Sequence, residues 1–574
     1  MDDSAGPSRP KRTKKKFYNL DDSDIEEQLF EEFSSDEDYN IEDEAGLMGW
    51  SDNDSDEEQL TFDEVSAINI SPSSFADQPE QLNRPSTTAS SSTWTTTVQL
   101  KNITFSKQNQ FFGDVGSTPL DYFNFFFEEQ FLEMICRETN AQAVRLFLDS
   151  VSENSRITAW KELAIPELRI FLGLLFHMGT IPLSRLQDYW KKHRLFSIKI
   201  FGEQMSRNRF LIILRCLHFT SDTGNEDPLY KIRSVIDYFN NKMHQCYYPA
   251  KELSLDESMV LWRGRLRFKQ FIKNKRHKYG IKLYMLTEPD GLILKFRVYA
   301  GGYDKEVTGK GHAEKVVIQL LEEKLQSGHS IYMDNFYNSF TLAKRLLDNN
   351  TYCTGTLRKD LKENPQEVIQ KKLKKGENVS LFREGIHIGK WKDKRPVMYI
   401  TTEFEDRKVP VTNKRGQVAD KPEAIAKYNQ FMSGVDRQDQ LLAFYPCERK
   451  TLRWYLKLAI HTFQMLFINS YKIYNKYSGQ PKMTLYDYRL SIIDKLLPEK
   501  SAPVVATPSR ARTQVPHKIS KITEKNAKGK LKRKMCRMCS KVAKKRKDTI
   551  WHCEMCNEKP GLCFECFDPY HSSL

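Results

Sequence analysis

The chain has 574 residues, 39% hydrophobic and 12% aromatic, with 89 Lys and Arg against 75 Asp and Glu for a formal net charge of +14. That length suits roughly three to four domains around a real core, and no apolar run reaches the ~18 residues that span a bilayer. The charged N-terminus lacks the apolar h-region of a secretory signal, so a soluble intracellular protein with no membrane partner is expected.

Charge is unevenly placed. Residues 21–58 hold 18 acidic groups and no Lys or Arg, which leaves the chain beyond them at +28. So basic a body calls for a polyanion, and nucleic acid is the commonest one. Residues 1–118 read as a disordered N-terminal region. Within it, the basic run 9–16 fits a nuclear localisation signal, so the nucleus is the expected compartment. Ser23, Ser34, Ser35, Ser51 and Ser55 lie among acids, a context that suits an acid-directed kinase. The acidic arm is expected to compete with DNA for the basic body.

From 119 to 250 the apolar spacing is helical, as in Phe131, Leu132, Met134 and Ile135. Pro166 suits the first turn of an apolar helix over 167–178, and another helix is expected over 207–218. At 251 the period changes to that of strands. Strand is expected over 253–268, and two more strands, 282–287 and 292–298, flank the turn Glu288-Pro-Asp-Gly291. A helix over 313–325, a short strand 330–334, a helix 340–347 and a strand 352–357 complete a ribonuclease-H-like order. Residues 361–417 are Lys-rich and read as an insertion with strands at 379–382 and 397–402. The core resumes over 418–445, helices return over 446–498, a Pro/Ser/Lys linker covers 499–530, and a cysteine-rich domain covers 531–574.

Four aspartates stand out. Asp256 interrupts an apolar strand face, and Asp334 ends a parallel-type strand, where α/β sheets place ligands. Asp436 and Asp439 share a helix face at i, i+3. Carboxylates converging from two strands and a helix form an all-oxygen site suited to Mg²⁺ or Mn²⁺ and to phosphodiester chemistry. Beside them lie Arg263, Arg265, Arg267, Lys269, Lys273, Lys275, Arg276, Lys278 and Lys282, interleaved with aromatics. The first four alternate as if on one strand face, which fits DNA phosphate contacts.

The tail reads Cys536-x2-Cys539, Cys553-x2-Cys556 and Cys563-x2-Cys566, with His571 five residues on. Three CxxC pairs point to Zn²⁺. Seven ligands are one short of two closed sites. His552 is available as the eighth, although its adjacency to Cys553 strains ligation. The neighbouring lysines 528, 530, 532 and 534 suggest DNA contact or nuclear import.

The blocks Leu255-Asp-Glu257, Trp262-Arg-Gly-Arg265, Lys278-Tyr-Gly-Ile-Lys282, Tyr332-Met-Asp-Asn335 and Ser433-Gly-Val-Asp-Arg-Gln-Asp-Gln440 resemble, in order and spacing, those of piggyBac-type transposases. Arg453-Trp454 before an apolar helix and the terminal Cys/His module extend the resemblance over roughly 119–571. It implies Asp256, Asp334 and Asp436 as the catalytic triad, with Asp439 as a further acidic residue. It also implies an α/β ribonuclease-H-like core carrying the insertion, flanked by a mainly α-helical dimerisation and DNA-binding domain built from 119–250 and 446–498. Arg453 and Trp454 are then expected among the DNA contacts. The activity implied is cut-and-paste transposition by a homodimer. Such an enzyme binds terminal inverted repeats, cleaves through a hairpin and integrates at TTAA. A domesticated DNA-binding or chromatin protein without transposition, and a tail acting as a RING- or PHD-like partner module, are the competing readings.

Overall fold

The structure, a computed structural model, describes residues 93–149, 156–221, 226–272, 277–412, 416–499, 517–542 and 544–572. The basic and acidic segments before residue 93 with their five serines, and Lys273, Lys275 and Arg276, lie outside the described residues. The chain divides into two compact units, Met1–Pro498 and Glu499–Leu574.

The described part of the first unit opens with a strap, inside the stretch expected to be disordered. Residues 93–112 run extended and end in β1 (Gln110–Phe111). Thr118 then caps α1 (Pro119–Phe126): its hydroxyl accepts from Asp121 N–H while the Asp121 carboxylate accepts from Thr118 N–H, with Pro119 in the first turn. Helices α2 (Glu129–Asp149), α3 (Ile165–Thr180), α4 (Lys199–Gln204), α5 (Arg207–Cys216) and α6 (Tyr230–Cys246) follow, and β2 (Tyr247–Tyr248) pairs back with β1.

The core is one nine-stranded sheet. β3 (Glu252–Leu261), β5 (Tyr279–Thr287) and β6 (Ile293–Val298) are antiparallel, with the two-residue strand β4 (Gln270–Phe271) beside the start of β5. After α7 (His312–Leu321), β7 (Ser330–Met333) lies parallel to β3. After α8 (Phe340–Asp348), β8 (Tyr352–Thr356) lies parallel to β7. This is the expected ribonuclease-H-like order. At the β5–β6 turn Gly291 has φ +93°, and a Cβ there would stand 3.0 Å from the Gly434 carbonyl, so glycine serves both the turn and the close approach.

One expected strand does not continue. β3 stops at Leu261, and 262–269 form an irregular loop. Trp262 N–H still reaches the Tyr279 carbonyl, but its indole packs over Gly264, where a Cβ would meet the ring at 2.8 Å. The fold-back of the indole ends the ladder, so Arg263, Arg265, Arg267 and Lys269 do not project from one strand face.

The insertion extends the sheet instead of leaving it. α9 (Gln366–Gln370) precedes β9 (Asn378–Arg383), β10 (Ile386–Lys392) and β11 (Pro396–Thr401), and β11 pairs antiparallel with β8. The middle strand escaped the sequence reading because His387 and Gly389 interrupt its apolar pattern. His387 is buried there, and the Tyr399 ring covers Gly389. Glu384 and Gly385, at φ +53° and +80°, make the two-residue hairpin turn. The hairpin β12 (Lys408–Thr412) and β13 (Val418–Pro422) leads into α10 (Glu423–Phe431) and α11 (Gly434–Phe444).

α12 (Trp454–Tyr477) is buried on nearly all sides, as an all-round apolar helix must be. Phe467 meets Phe123 of α1 at 5.8 Å and Phe176 of α3 at 4.9 Å between ring centroids, and α13 (Leu485–Leu496) closes on α3 at Gly173. The segments on either side of the sheet thus share one core, where truncating such a ring costs about 3–5 kcal/mol. Among the described residues no helix is long and apolar enough to cross a membrane.

The second unit is small. β14 (Ile519–Lys521) pairs with β17 (Trp551–Cys553), and β15 (Lys534–Met535) pairs with β16 (Asp548–Thr549). Two short helices, α14 (Arg537–Lys541) and α15 (Phe564–Ser572), complete it. Its core is Cys536, Cys553, Leu562 and Cys563.

Candidate active site and metal centres

Register brings Asp256 and Asp334 side by side. Leu255 pairs with Met333 across β3 and β7, and each aspartate is the next residue. On β3 the side chains of Ser254, Asp256 and Ser258 share one face by strand alternation. α11 lies across that face: a Cβ on Gly434 would stand 2.3 Å from Ser254 Oγ, and Ser258 Oγ donates to Asp439 Oδ1 at 2.6 Å. Only glycine admits that approach at the helix start. One turn back from Asp439, Asp436 shares its helix face and lies between the two anchors, toward Asp256.

The turn bearing Asp334 is held tightly. Its Oδ1 accepts from Phe336 N–H at 2.9 Å. The buried Asn338 amide nitrogen points at the carbonyls of Met333, Asp334 and Thr356 at 2.9, 3.1 and 3.0 Å. Gly355 makes room, since a Cβ there would meet the Met333 carbonyl at 1.8 Å. Behind Asp256, Tyr337 hydroxyl donates to Glu257 Oε2 at 3.2 Å, with Lys282 Nζ 4.0 Å from that carboxylate.

Two tyrosines report the local field. Burial, then the carboxylates of Asp334, Asp256 and Asp436, raise the Tyr428 phenol above its usual range. Burial, then Glu257 and Asp256, raise that of Tyr337 as well. Both therefore stay protonated and can only donate or accept neutrally near the acidic cluster. Neither was singled out from sequence. Tyr428 lies eight residues before Asp436 on a separate helix, and no spacing rule connects them. No three of the four aspartates bring their oxygens within 4.8 Å of one another; among the described residues only two groups of potential ligands do so, both in the C-terminal unit.

The basic residues separate into two sets. Arg263, Arg265, Arg267 and Lys278 are exposed and Lys269 is half-buried. Lys282 is buried over the rings of Tyr284 and Phe336. Arg453 donates to the carbonyls of Leu214 and Arg215 and so caps the C-terminus of α5, and Trp454 sets its ring edge-on to Phe268 at 5.3 Å. Lys282, Arg453 and Trp454, expected at DNA, are engaged in holding the fold.

In the C-terminal unit Cys536, Cys539, Cys563 and Cys566 form one group, and His517, Cys553, Cys556 and His571 form the other. The pairs interleave along the chain, so each group ties together segments that the other separates. Sulfur–sulfur distances of 3.7, 3.8 and 3.5 Å in the first group are far above a disulfide bond. They match the ~3.8 Å expected of thiolates about 2.3 Å from a tetrahedral ion. In the second, His517 Nδ1 lies 3.4 Å from Cys553 Sγ and His571 Nε2 lies 3.4 Å from Cys556 Sγ. His571 Nδ1 donates to the Phe567 carbonyl at 2.7 Å, which fixes the tautomer that leaves Nε2 for a metal.

His552 belongs to neither group. It is adjacent to Cys553 on β17, and strand alternation sends the two side chains to opposite faces. The eighth ligand position goes to His517, in the segment expected to be linker. Its neighbours Ile519–Lys521 pair with β17 and carry it into place. A lone His 19 residues before the first CxxC gives no spacing signal.

Known proteins bear on this arrangement in three ways. A family model described as Transposase IS4 matches residues 118–471, more than half the chain. PiggyBac transposable element-derived protein 3 from Homo sapiens is 25% identical over 490 residues, covering 81% of this chain and 78% of that protein. PiggyBac transposable element-derived protein 2, also human, is 24% identical over 392 residues, 65% of this chain and 64% of that protein. A cryo-EM structure of the piggyBac transposase synaptic complex with hairpin DNA superposes with a TM-score of 0.61 at 23% identity, over 80% of this chain and 98% of that one. The superposition establishes a common fold, and with the family match it shows that the chain belongs to the piggyBac transposase family.

Proposed function

We propose that this protein is a cut-and-paste DNA transposase whose Asp256, Asp334 and Asp436 hold divalent cations, Mg²⁺ or Mn²⁺, at the scissile phosphodiester. The observation that carries the reading is that Asp256 and Asp334 follow paired residues of parallel β3 and β7 while α11, which bears Asp436, lies across the same face. The donor set fits the ion: all donors are oxygen, and such like charges sharing a site favour a cation between them. When bound, the ions supply the Lewis acidity that activates an attacking oxygen and stabilises the leaving one. Asn338 and Gly355 fix the turn that aims Asp334. Ser258 orients Asp439, which braces α11 rather than facing the substrate directly. Exposed Arg263, Arg265, Arg267 and Lys278 supply charge for DNA phosphates.

Family membership supports the finer steps, namely binding of terminal inverted repeats, a hairpin intermediate, TTAA integration, action as a homodimer, and work in the nucleus. The same relatives support a second reading. They are named as element-derived proteins, so a domesticated DNA-binding protein is the alternative. Full-length protein with Mg²⁺ and duplexes cloned from either side of its own coding sequence should give nicks with a free 3′-OH, then hairpins. Binding of those duplexes without any nicking would favour the domesticated reading instead.

The C-terminal groups fit Zn²⁺, one Cys₄ site and one Cys₂His₂ site. Metal analysis of the purified chain should then find about two zinc ions per molecule. His517→Ala should lower that to about one, while His552→Ala should leave it at two. Equal losses in the two variants would return His552 to the ligand set.

A further inference from the structure

Between His517 and Cys536 the chain folds back on itself. Lys525 bridges to Leu531, Lys532 N–H donates to the Glu524 carbonyl at 2.8 Å, and Asn526 N–H to the Lys530 carbonyl at 2.8 Å. Asn526 Oδ1 accepts from the N–H groups of Lys528 and Lys530, both at 3.1 Å, and Gly529 at φ +72° turns the tip. The result is a narrow two-stranded hairpin over 524–532. From Lys521 to Lys534, both included, the chain has seven basic residues and a single acid. That acid, Glu524, is already paired with Lys532 at 2.9 Å, so Lys525, Lys528 and Lys530 dominate the exposed tip.

Both feet of the hairpin are fixed. His517 before it is a ligand of one potential metal group and Cys536 after it is a ligand of the other. Ile522 is buried and its N–H donates to the Ile550 carbonyl at 2.8 Å. Lys534 Nζ donates to the Lys559 carbonyl at 2.8 Å. A ribbon held this way needs little further ordering on binding.

We infer that this hairpin is a DNA-contacting ribbon that enters a groove of the duplex and places the ammonium groups of Lys525, Lys528 and Lys530 on backbone phosphates. The inference rests on the reading of the protein as a DNA-handling enzyme, and it assigns this element a separable task, affinity without sequence choice. The major groove, about 12 Å wide, admits a two-stranded ribbon. Lysine acts there as a point charge on phosphate. Asn526 is the one residue of the hairpin with a base-reading carboxamide, and its oxygen is committed to the turn. An acidic peptide is the other polyanion class, but charges at the tip and along both arms of a rigid ribbon suit phosphates on either side of a groove better than one extended strand.

The test compares full-length wild type with the triple variant Lys525→Ala, Lys528→Ala, Lys530→Ala, and with the matching Lys→Arg triple. Each is titrated with duplexes carrying the cloned ends and with unrelated duplexes, at several salt concentrations. Each lost phosphate contact should flatten the slope of log Kobs against log salt by about 0.9, so three should flatten it by about 2.7. A fourfold rise in salt would then cost the alanine variant about 40-fold less affinity than wild type. The ratio of cognate to unrelated affinity should be unchanged, the arginine variant should keep the wild-type slope, and zinc content should be equal in all three. Identical slopes for wild type and alanine variant would overturn the hairpin assignment while leaving the transposase reading intact. A wild type that binds no duplex would overturn both. Loss of poly-glutamate binding in the alanine variant with DNA binding unaltered would overturn it in favour of an acidic protein partner.

Discussion

Asp334→Asn should abolish Mg²⁺-dependent strand cleavage, by about 10³-fold or more, while duplex binding stays within about twofold. The size follows from the several kcal/mol that metal ions supply to a phosphoryl transition state, at 1.36 kcal/mol per factor of ten. A neutral amide keeps the shape and the bond from Phe336 N–H but offers one oxygen and no charge. Asp256→Asn and Asp436→Asn should behave alike, because the three carboxylates act on one site and their losses are not additive. Asp439→Asn should do less, since its oxygen is bonded to Ser258 and braces α11. The assay is nicking of labelled end duplex against gel shift on the same preparations. Cleavage at wild-type rate by the Asp334 variant would remove that residue from the active site.

Chelation of the C-terminal ions should unfold that unit cooperatively and leave the sheet-bearing unit intact. The buried core there is Cys536, Cys553, Leu562 and Cys563, so three of four core residues belong to the proposed zinc sites and little apolar surface would remain once the metal has gone. Structural zinc contributes roughly 10–16 kcal/mol in comparable modules, more than such a core could replace. Limited proteolysis of the full chain should show rapid cutting within 517–572 after chelation, and Cys536→Ser should reproduce it without chelator. Binding to end duplexes should fall more than residual cleavage of pre-bound ends. Continued protease resistance after the ions have been stripped would mean that the unit is held by something other than metal.

What could be read from the sequence follows from the range of the physics involved. Asp334 was legible because a short buried strand ending in a carboxylate is a local signal, and the strand order around it needs only periodicity and turns. The insertion's middle strand was not, because a buried His387 and a ring-covered Gly389 mimic loop residues until the partner strand is known. Alternating Arg263, Arg265, Arg267 and Lys269 looked like a strand face, but the packing of Trp262 on Gly264 ended the ladder. Lys282 looked like a DNA contact from its place in a basic run, and Arg453 from the family resemblance. What engages them in the structure is a helix C-terminus some 240 residues away for Arg453 and the half-buried Glu257 for Lys282. His517 illustrates the same limit: its partners are set by a β pairing that no local pattern announces.

The strap at the start of the described chain has a consequence for biosynthesis. Thr95 pairs with Phe382 of β9, the Lys101 ammonium reaches Asn350, and Asn109 bonds to Tyr247 and Tyr477. At roughly 5–20 residues per second, a ribosome emits Phe382 about 15–60 s after Thr95. For that interval the head of the strap at Thr95 lacks its partner strand, whereas β1 can already pair with β2 and the β3–β5–β6 meander can already collapse. The head of the strap, although made first among the described residues, therefore docks late, meeting the edge strand β9 only once that part of the insertion has emerged.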